Sequence, residues 1–459
     1  MTTSIKFIGA TGMVTGSSYL ITTNSTKFLV DCGLFQGGRE ADAKNYQPFP
    51  FDPKKINFLI LTHAHLDHCG LIPKLYRQGF RGKIFSTPAT RDLAEAILTD
   101  AAHIQEHGAT LKQIDTLFSS KDVVSALKLF ETYNYNKTFV TNNIKICLQD
   151  AGHILGASIV EIWTDGPPSL RSGRVNKKLV FSGDLGNSPV PIMRDPALIS
   201  QADYVVCEST YGDRLHEPPI NREKKLLAAI RHAHKRHAKL IIPSFALERT
   251  QDLLYTFNLF RNTNQMPHIP VILDSPLAIK ITDIYKRYTK SFDETFQKYL
   301  KVDKDLFSFP NFKQTPTVQE SKTINEIEGP AVIIAGSGMA DGGRVQHHLI
   351  HHLGNPDDQV VFVGFCTKGT LGRKLVEGAT RVRIMDQSRT VRAQIKSINS
   401  FSAHADQKGL VGWLAGFTTK PTIILTHGED EAREILSNKI RRQLKNKTLL
   451  PTLGQTISI

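Results

Sequence analysis

Ile56-Asn57-Phe58-Leu59-Ile60-Leu61-Thr62-His63-Ala64-His65-Leu66-Asp67-His68 joins a run of apolar, β-prone residues to three imidazoles and a carboxylate. The apolar part, 56–62, has the length of a strand and is far short of a membrane span. A loop that crowds His63, His65, Asp67 and His68 together is an electrostatic liability unless a cation organises it. Imidazole and carboxylate ligands suit zinc, and alternate residues leaving a strand end can face two adjacent ions. Two ions need further ligands, and other strand ends supply candidates. His153 follows one such strand in Ala151-Gly152-His153-Ile154, and Asp184 follows another in Phe181-Ser182-Gly183-Asp184.

The same texture extends outward from this stretch. Short β-branched runs at 5–9, 18–22, 27–30, 83–86, 144–149, 158–163, 178–182 and 203–207 end in loops rich in His, Asp, Ser and Gly. Helical periodicity predicts helices over 70–78, 90–107 and 122–130. After Cys207 the texture changes to strands alternating with longer helices, the signature of a parallel α/β sheet. Helices are expected near 221–237, 248–260, 277–288 and 343–352. Strands are expected at 240–243, 271–273, 331–334 and 359–364, with a polar, Pro-containing connection at 308–320. From about Arg381 two further strands lead back to His-bearing loops, Ser402-Ala403-His404-Ala405-Asp406 and Leu425-Thr426-His427-Gly428.

The 459 residues exceed one ordinary domain, and 40% apolar with 22% charged residues describes a globular protein. The N-terminal residues lack the features of a signal peptide, so a cytoplasmic location is expected. Five dispersed cysteines, Cys32, Cys69, Cys147, Cys207 and Cys366, have no metal-ribbon spacing and read as buried free thiols. A net charge of +14 suits a polyanionic partner without naming one.

The motifs and their order resemble the metallo-β-lactamase superfamily and, within it, the β-CASP nucleases, including the cleavage and polyadenylation specificity factor-like endonucleases. Asp31 in Val30-Asp31-Cys32-Gly33 is similar to the family's first motif, the His63 cluster to the second, His153 to the third and Asp184 to the fourth. Glu208 in Cys207-Glu208-Ser209-Thr210-Tyr211, His404 and His427 are similar to the three motifs that mark β-CASP members. The resemblance spans essentially the whole chain. It implies an αββα sandwich, 1–210 and 382–459, with an inserted α/β β-CASP domain, 211–381.

The resemblance further implies two Zn2+ per chain. One is held by His63, His65 and His153, the other by Asp67, His68 and His427, with Asp184 bridging. Such paired metals activate a hydroxide for in-line attack on phosphorus, leaving a 3′ hydroxyl and a 5′ phosphate. His404 would protonate the leaving oxygen or bind the scissile phosphate, Glu208 would orient His404, and Asp31 would fix a metal-binding imidazole. His427 is similar to the RNA-cutting branches, whereas the DNA-repair branch carries an apolar residue there. The expected substrate is single-stranded RNA, entering under an insertion that covers the cleft, with cleavage expected at internal sites and 5′ exonuclease activity as an addition. Nothing in the sequence names a protein partner or distinguishes a monomer from a homodimer.

Ser337 and Gly338 follow an apolar strand and precede a helix, a turn whose amides can bind phosphate. Arg373 in Lys368-Gly369-Thr370-Leu371-Gly372-Arg373 resembles another family contact to the RNA backbone. Phe365-Cys366-Thr367-Lys368 departs from the aromatic-Gln-Ala-acidic run of relatives, so the resemblance assigns no role to those positions. His103 and His107, and His347, His348, His351 and His352, share helix faces without an evident carboxylate partner and are left out of the metal site. A small-molecule hydrolase on the same metal core and a noncatalytic RNA-binding scaffold are the competing readings. The first leaves the insertion and the positive charge unused, and the intact ligand set opposes the second.

Overall fold

The apolar run forms the short strand Phe58–Ile60, buried on both faces. It lies parallel to Lys27–Val30 and to Lys83–Ser86, with Phe58 opposite both Phe28 and Lys83. Burial on both faces is why this strand reads as a continuous apolar run, whereas Ser4–Phe7 alternates. The computed structural model describes residues 3–112, 115–164, 177–188, 190–364, 366–367, 369–398 and 401–459. The statements below concern those residues.

The chain divides into two compact units. The first comprises Met1–Ser188, Met193–Leu215 and His404–Ile459. Its first sheet has seven strands in the order Thr456–Ser458, Ser4–Phe7, Tyr19–Thr22, Lys27–Val30, Phe58–Ile60, Lys83–Ser86 and Phe130–Thr132. Its second sheet also has seven, ordered Thr448–Leu449, Thr422–Leu425, Tyr204–Cys207, Lys177–Phe181, Ser158–Thr164, Ile144–Asp150 and Thr138–Thr141. Ile5, Phe7, Phe28 and Phe58 of the first sheet share one core with Ile146, Val160, Ile162 and Phe181 of the second. Each such side chain stabilises the fold by about 1.5–3 kcal/mol when fully buried. Helix Pro88–Lys112 packs beside the first sheet, and helix Asp430–Gln443 beside the second. The result is the expected αββα sandwich.

The second unit comprises Pro189–Ile192 and His216–Ala403. Its six-stranded sheet is parallel throughout, in the order Phe312–Gln314, Val271–Asp274, Ala331–Ala335, Lys239–Pro243, Gln359–Phe362 and Gln394–Ser397. Gln394–Ser397 pairs with Gln359–Phe362, so the second unit extends past residue 381, where the sequence texture had placed its end.

Several short elements were not read from the sequence. Residues 122–130 divide into helix Ser120–Leu127 and strand Phe130–Thr132. The connection at 308–320 contains strand Phe312–Gln314 and the start of helix Val318–Thr323. These pieces carry too few residues for a period to register, and tertiary pairing fixes them. All five cysteines are buried and free. No helix is long and apolar enough to cross a membrane.

Candidate metal centre and active site

The candidate residues of the first unit sit just past strand ends, Asp67 and His68 on the short helix Leu66–Cys69 and the others in loops. Asp31 follows Lys27–Val30, the His63 cluster follows Phe58–Ile60, and His153 lies between Ile144–Asp150 and Ser158–Thr164. Asp184, Glu208 and His427 follow Lys177–Phe181, Tyr204–Cys207 and Thr422–Leu425. Residues as distant in sequence as Asp31 and His427 thereby reach one place only through the pairing of strands across two sheets.

Two groups of donor atoms form around Asp184. In the first, His65 Nδ1 lies 3.1 Å from His63 Nε2 and 3.3 Å from His153 Nε2. Asp184 Oδ2 is 3.4 Å from His63 Nε2 and 3.6 Å from His153 Nε2. In the second, His68 Nε2 is 3.3 Å from His427 Nε2, which is 3.3 Å from Asp67 Oδ2. Asp184 turns its other oxygen to this group, Oδ1 lying 3.3 Å from His68 Nε2. Four ligands at zinc bond lengths in a tetrahedron stand about 3.3–3.4 Å apart. The first set of four therefore fits a zinc-sized cation, and Asp67, His68 and His427 converge as a second set of three that could hold another. Asp184 Oδ1 is buried and makes no hydrogen bond of good geometry, an arrangement that is costly for an anion without a cation nearby.

The ring orientations are fixed from behind. His68 Nδ1 is 2.7 Å from Asp31 Oδ2, and Asp31 also accepts from the Thr62 amide and hydroxyl, each at 2.8 Å. Thr62 Oγ1 lies 3.0 Å from His63 Nδ1. Since that hydroxyl gives its proton to Asp31, it accepts from His63 Nδ1 and leaves Nε2 with its lone pair. Thr62 stands in the opening stretch of sequence, but its role could not be read there because the carboxylate it bridges lies 31 residues away.

Beside the first group, the His404 ring lies 4.5 Å from that of His153 and is tilted to it by 49°. Both Glu208 oxygens lie 3.2 Å from His404 Nδ1, and the Leu185 amide donates to Glu208 Oε1 at 2.7 Å. The Glu208 side chain is wholly buried while that of His404 is 21% exposed, so the imidazole is the member a substrate can reach.

A family model described as the metallo-beta-lactamase superfamily matches residues 11–244, just over half of the chain. The chain belongs to the metallo-β-lactamase superfamily. A Beta-Casp domain matches 250–375 and a Zn-dependent metallo-hydrolase RNA specificity domain matches 388–451, which place it among the β-CASP ribonucleases, a family of metal-dependent hydrolases. Ribonuclease TTHA0252 of Thermus thermophilus is 36% identical over 92% of both chains. An RNase J-like protein of Methanocaldococcus jannaschii is 29% identical over 99% of both. The transcription termination factor FttA of the same archaeon is 29% identical over 97% of this chain and 70% of its own. A crystal structure of an Enterococcus faecalis protein of unknown function covers the whole chain with a TM-score of 0.55 at 11% identity, a likeness of fold alone.

In this β-CASP ribonuclease the three imidazoles of the first donor group are already in the neutral state that a metal requires. Burial pushes His63 down to about 3 and His65 down to about 4, and it takes His153 well below the usual imidazole range. All three are neutral at physiological pH, as a metal ligand would have to be. Burial opposes a charge on His68 too, yet Asp184 and Asp31 outweigh it and raise His68 well above its usual value. Burial likewise lowers the pKa of His404, but Glu208 and Asp184 carry it up to about 9. Burial would raise Asp184, but the surrounding imidazoles hold it well below the usual carboxylate range.

The second unit's candidates are differently placed. Ser337 and Gly338 follow strand Ala331–Ala335, as expected, but the Ser337 amide donates to the Gly342 carbonyl at 3.1 Å. Gly338 lies so close to the Phe245 ring that an added Cβ would stand 2.6 Å from it. Arg373 is on helix Leu371–Val376, with its Nε donating to Glu377 at 2.7 Å. Phe365 and Lys368 lie outside the described residues. The histidines left out of the metal site do include two with carboxylate partners, His348 with Asp274 at 2.7 Å and His352 with Asp358 at 2.8 Å. Those partners come from strand ends of the second unit and tie its helix Val345–His352 to the sheet.

Proposed function

We propose that this protein hydrolyses phosphodiester bonds of single-stranded RNA, using two zinc ions held by His63, His65 and His153 and by Asp67, His68 and His427, with Asp184 shared. The observation that carries this reading is Asp184, whose Oδ2 faces one imidazole group and whose Oδ1 faces the other. Paired zinc ions supply a water of lowered pKa and neutralise charge growing on a phosphoryl centre.

The protein's own groups do the rest. His404, kept protonated by Glu208, delivers a proton to the departing ribose 3′ oxygen, leaving a 3′ hydroxyl and a 5′ phosphate. Asp31 and Thr62 hold His68 and His63 so that each turns Nε2 inward. Ser337, Gly338 and Arg373 serve the RNA backbone. Internal cleavage is the primary activity, with 5′ exonuclease activity as an addition. A net charge of +14 favours a polyanion, and the ribonuclease named among the relatives supports RNA. Five free, buried cysteines suit a cytoplasmic setting.

The test uses single-stranded RNA labelled at either end, matched DNA, wild-type protein, Asp184→Ala and His404→Ala, with zinc analysis of each. Cleavage of RNA by wild type alone, at about two zinc per chain, supports the reading, and product lengths separate internal from terminal cutting. Full zinc loading without RNA cleavage by wild type overturns it.

A further inference from the structure

The loop Glu208-Ser209-Thr210 touches more of the site than its glutamate alone. The Ser209 hydroxyl donates to the Thr426 carbonyl at 2.7 Å, and its amide donates to the His427 carbonyl at 3.1 Å. These bonds grip the backbone where His427 takes a left-handed φ of 49°, a conformation uncommon for a residue with a side chain. Thr210 then engages the His427 ring, its Oγ1 lying 3.0 Å from Nδ1 while donating to the His427 carbonyl at 3.2 Å.

A hydroxyl has one proton to give. With that proton on the His427 carbonyl, Thr210 Oγ1 faces Nδ1 as an acceptor, so the ring carries its proton on Nδ1 and keeps the Nε2 lone pair. Nε2 is the atom that faces Asp67 and His68. The Thr210 amide also reaches Glu208 Oε2 at 3.4 Å, so one residue borders both the proton donor's carboxylate and a metal-facing imidazole.

We propose that Thr210 is a positioning residue for metal binding, whose hydroxyl fixes the tautomer and angle of His427 and thereby sets the affinity of the Asp67, His68 and His427 group for its cation. This rests on the two-zinc reading of the site above. Thr210 is half-buried and packs as a valine would, so removing only the hydroxyl leaves the shape of the loop intact. Losing such an outer partner weakens metal affinity by about 10–100-fold.

The experiment challenges zinc-loaded wild type, Thr210→Val and Thr210→Ser with a chromophoric zinc chelator and follows zinc release, alongside thermal melting of the same proteins after metal removal. The expected result is one zinc bound about 10–100-fold more weakly in Thr210→Val, near-wild-type retention in Thr210→Ser, and equal melting of all three stripped proteins. Equal zinc retention in wild type and Thr210→Val overturns the proposal. So does equal loss in Thr210→Val and Thr210→Ser, which would assign the effect to packing. Because the chelator readout needs no RNA, a wild type that binds zinc normally but cuts nothing overturns the nuclease reading and leaves the Thr210 result standing on its own.

Discussion

Strand ends carry the candidate residues of the first unit, a turn and a helix those of the second, and the two regions are built to different standards. Around Asp184, the Nδ1 atoms of His63, His68 and His427 each have a hydroxyl or carboxylate within reach, and most of the groups are buried. In the second unit the Ser337 amide already donates to a carbonyl and Arg373 Nε to Glu377. The first arrangement is preorganised for a multivalent cation and for chemistry. The second is a turn and a helix whose contact with a substrate would replace bonds they already make. Substitutions in the first region should therefore act on metal content and turnover, and those in the second on binding alone.

Asp184→Ala is the most damaging way to break that contrast. It removes an oxygen from both donor groups at once, so zinc content should fall and cleavage should drop to background, read by metal analysis and single-turnover assay. His404→Ala should leave zinc content unchanged while reducing turnover by about 10²–10⁴-fold, the usual span for loss of a proton donor. The pH profile sharpens this. His404 is raised to about 9, so it holds its proton below that pH and activity is lost as pH rises through it. Glu208→Gln removes the carboxylate that favours the charged ring, and the alkaline limb should move to lower pH. An unmoved limb would show that another group limits the rate.

Smaller effects follow. Asp31→Asn keeps a residue that tolerates the φ of 60° found at this position but removes the charge behind His68. Zinc affinity should weaken by about 10–100-fold, measured by chelator competition. Arg373→Ala should raise KM without changing kcat, and the slope of log affinity against log salt should become shallower by about 1. A fall in kcat from Arg373→Ala would erase the distinction between the two regions.

Much of this was legible in the sequence, for reasons that particular residues make plain. Phe58–Ile60 could be read as a buried strand because its apolar run matches a strand of a doubly covered sheet. The His63 cluster could be read as a metal loop because four ligand-type side chains crowd six consecutive positions. His153, Asp184, Glu208, His404 and His427 stand singly in their loops, and only the order of motifs linked them. The short strands Phe130–Thr132 and Phe312–Gln314 left no periodic signal, and the extent of the second unit depended on a strand, Gln394–Ser397, whose partner lies 35 residues earlier.

By itself the sequence determined the residue types, their order and the alternation of strand and loop, because hydrophobic period and ligand chemistry are local properties. The tertiary structure alone decided that the two oxygens of Asp184 face different imidazole groups. It also decided that Thr62 meets Asp31 and that Thr210, an ordinary residue in the chain, stands behind His427. Those facts depend on distances of about 3 Å between residues tens to hundreds of positions apart, which only the packing of two sheets can set.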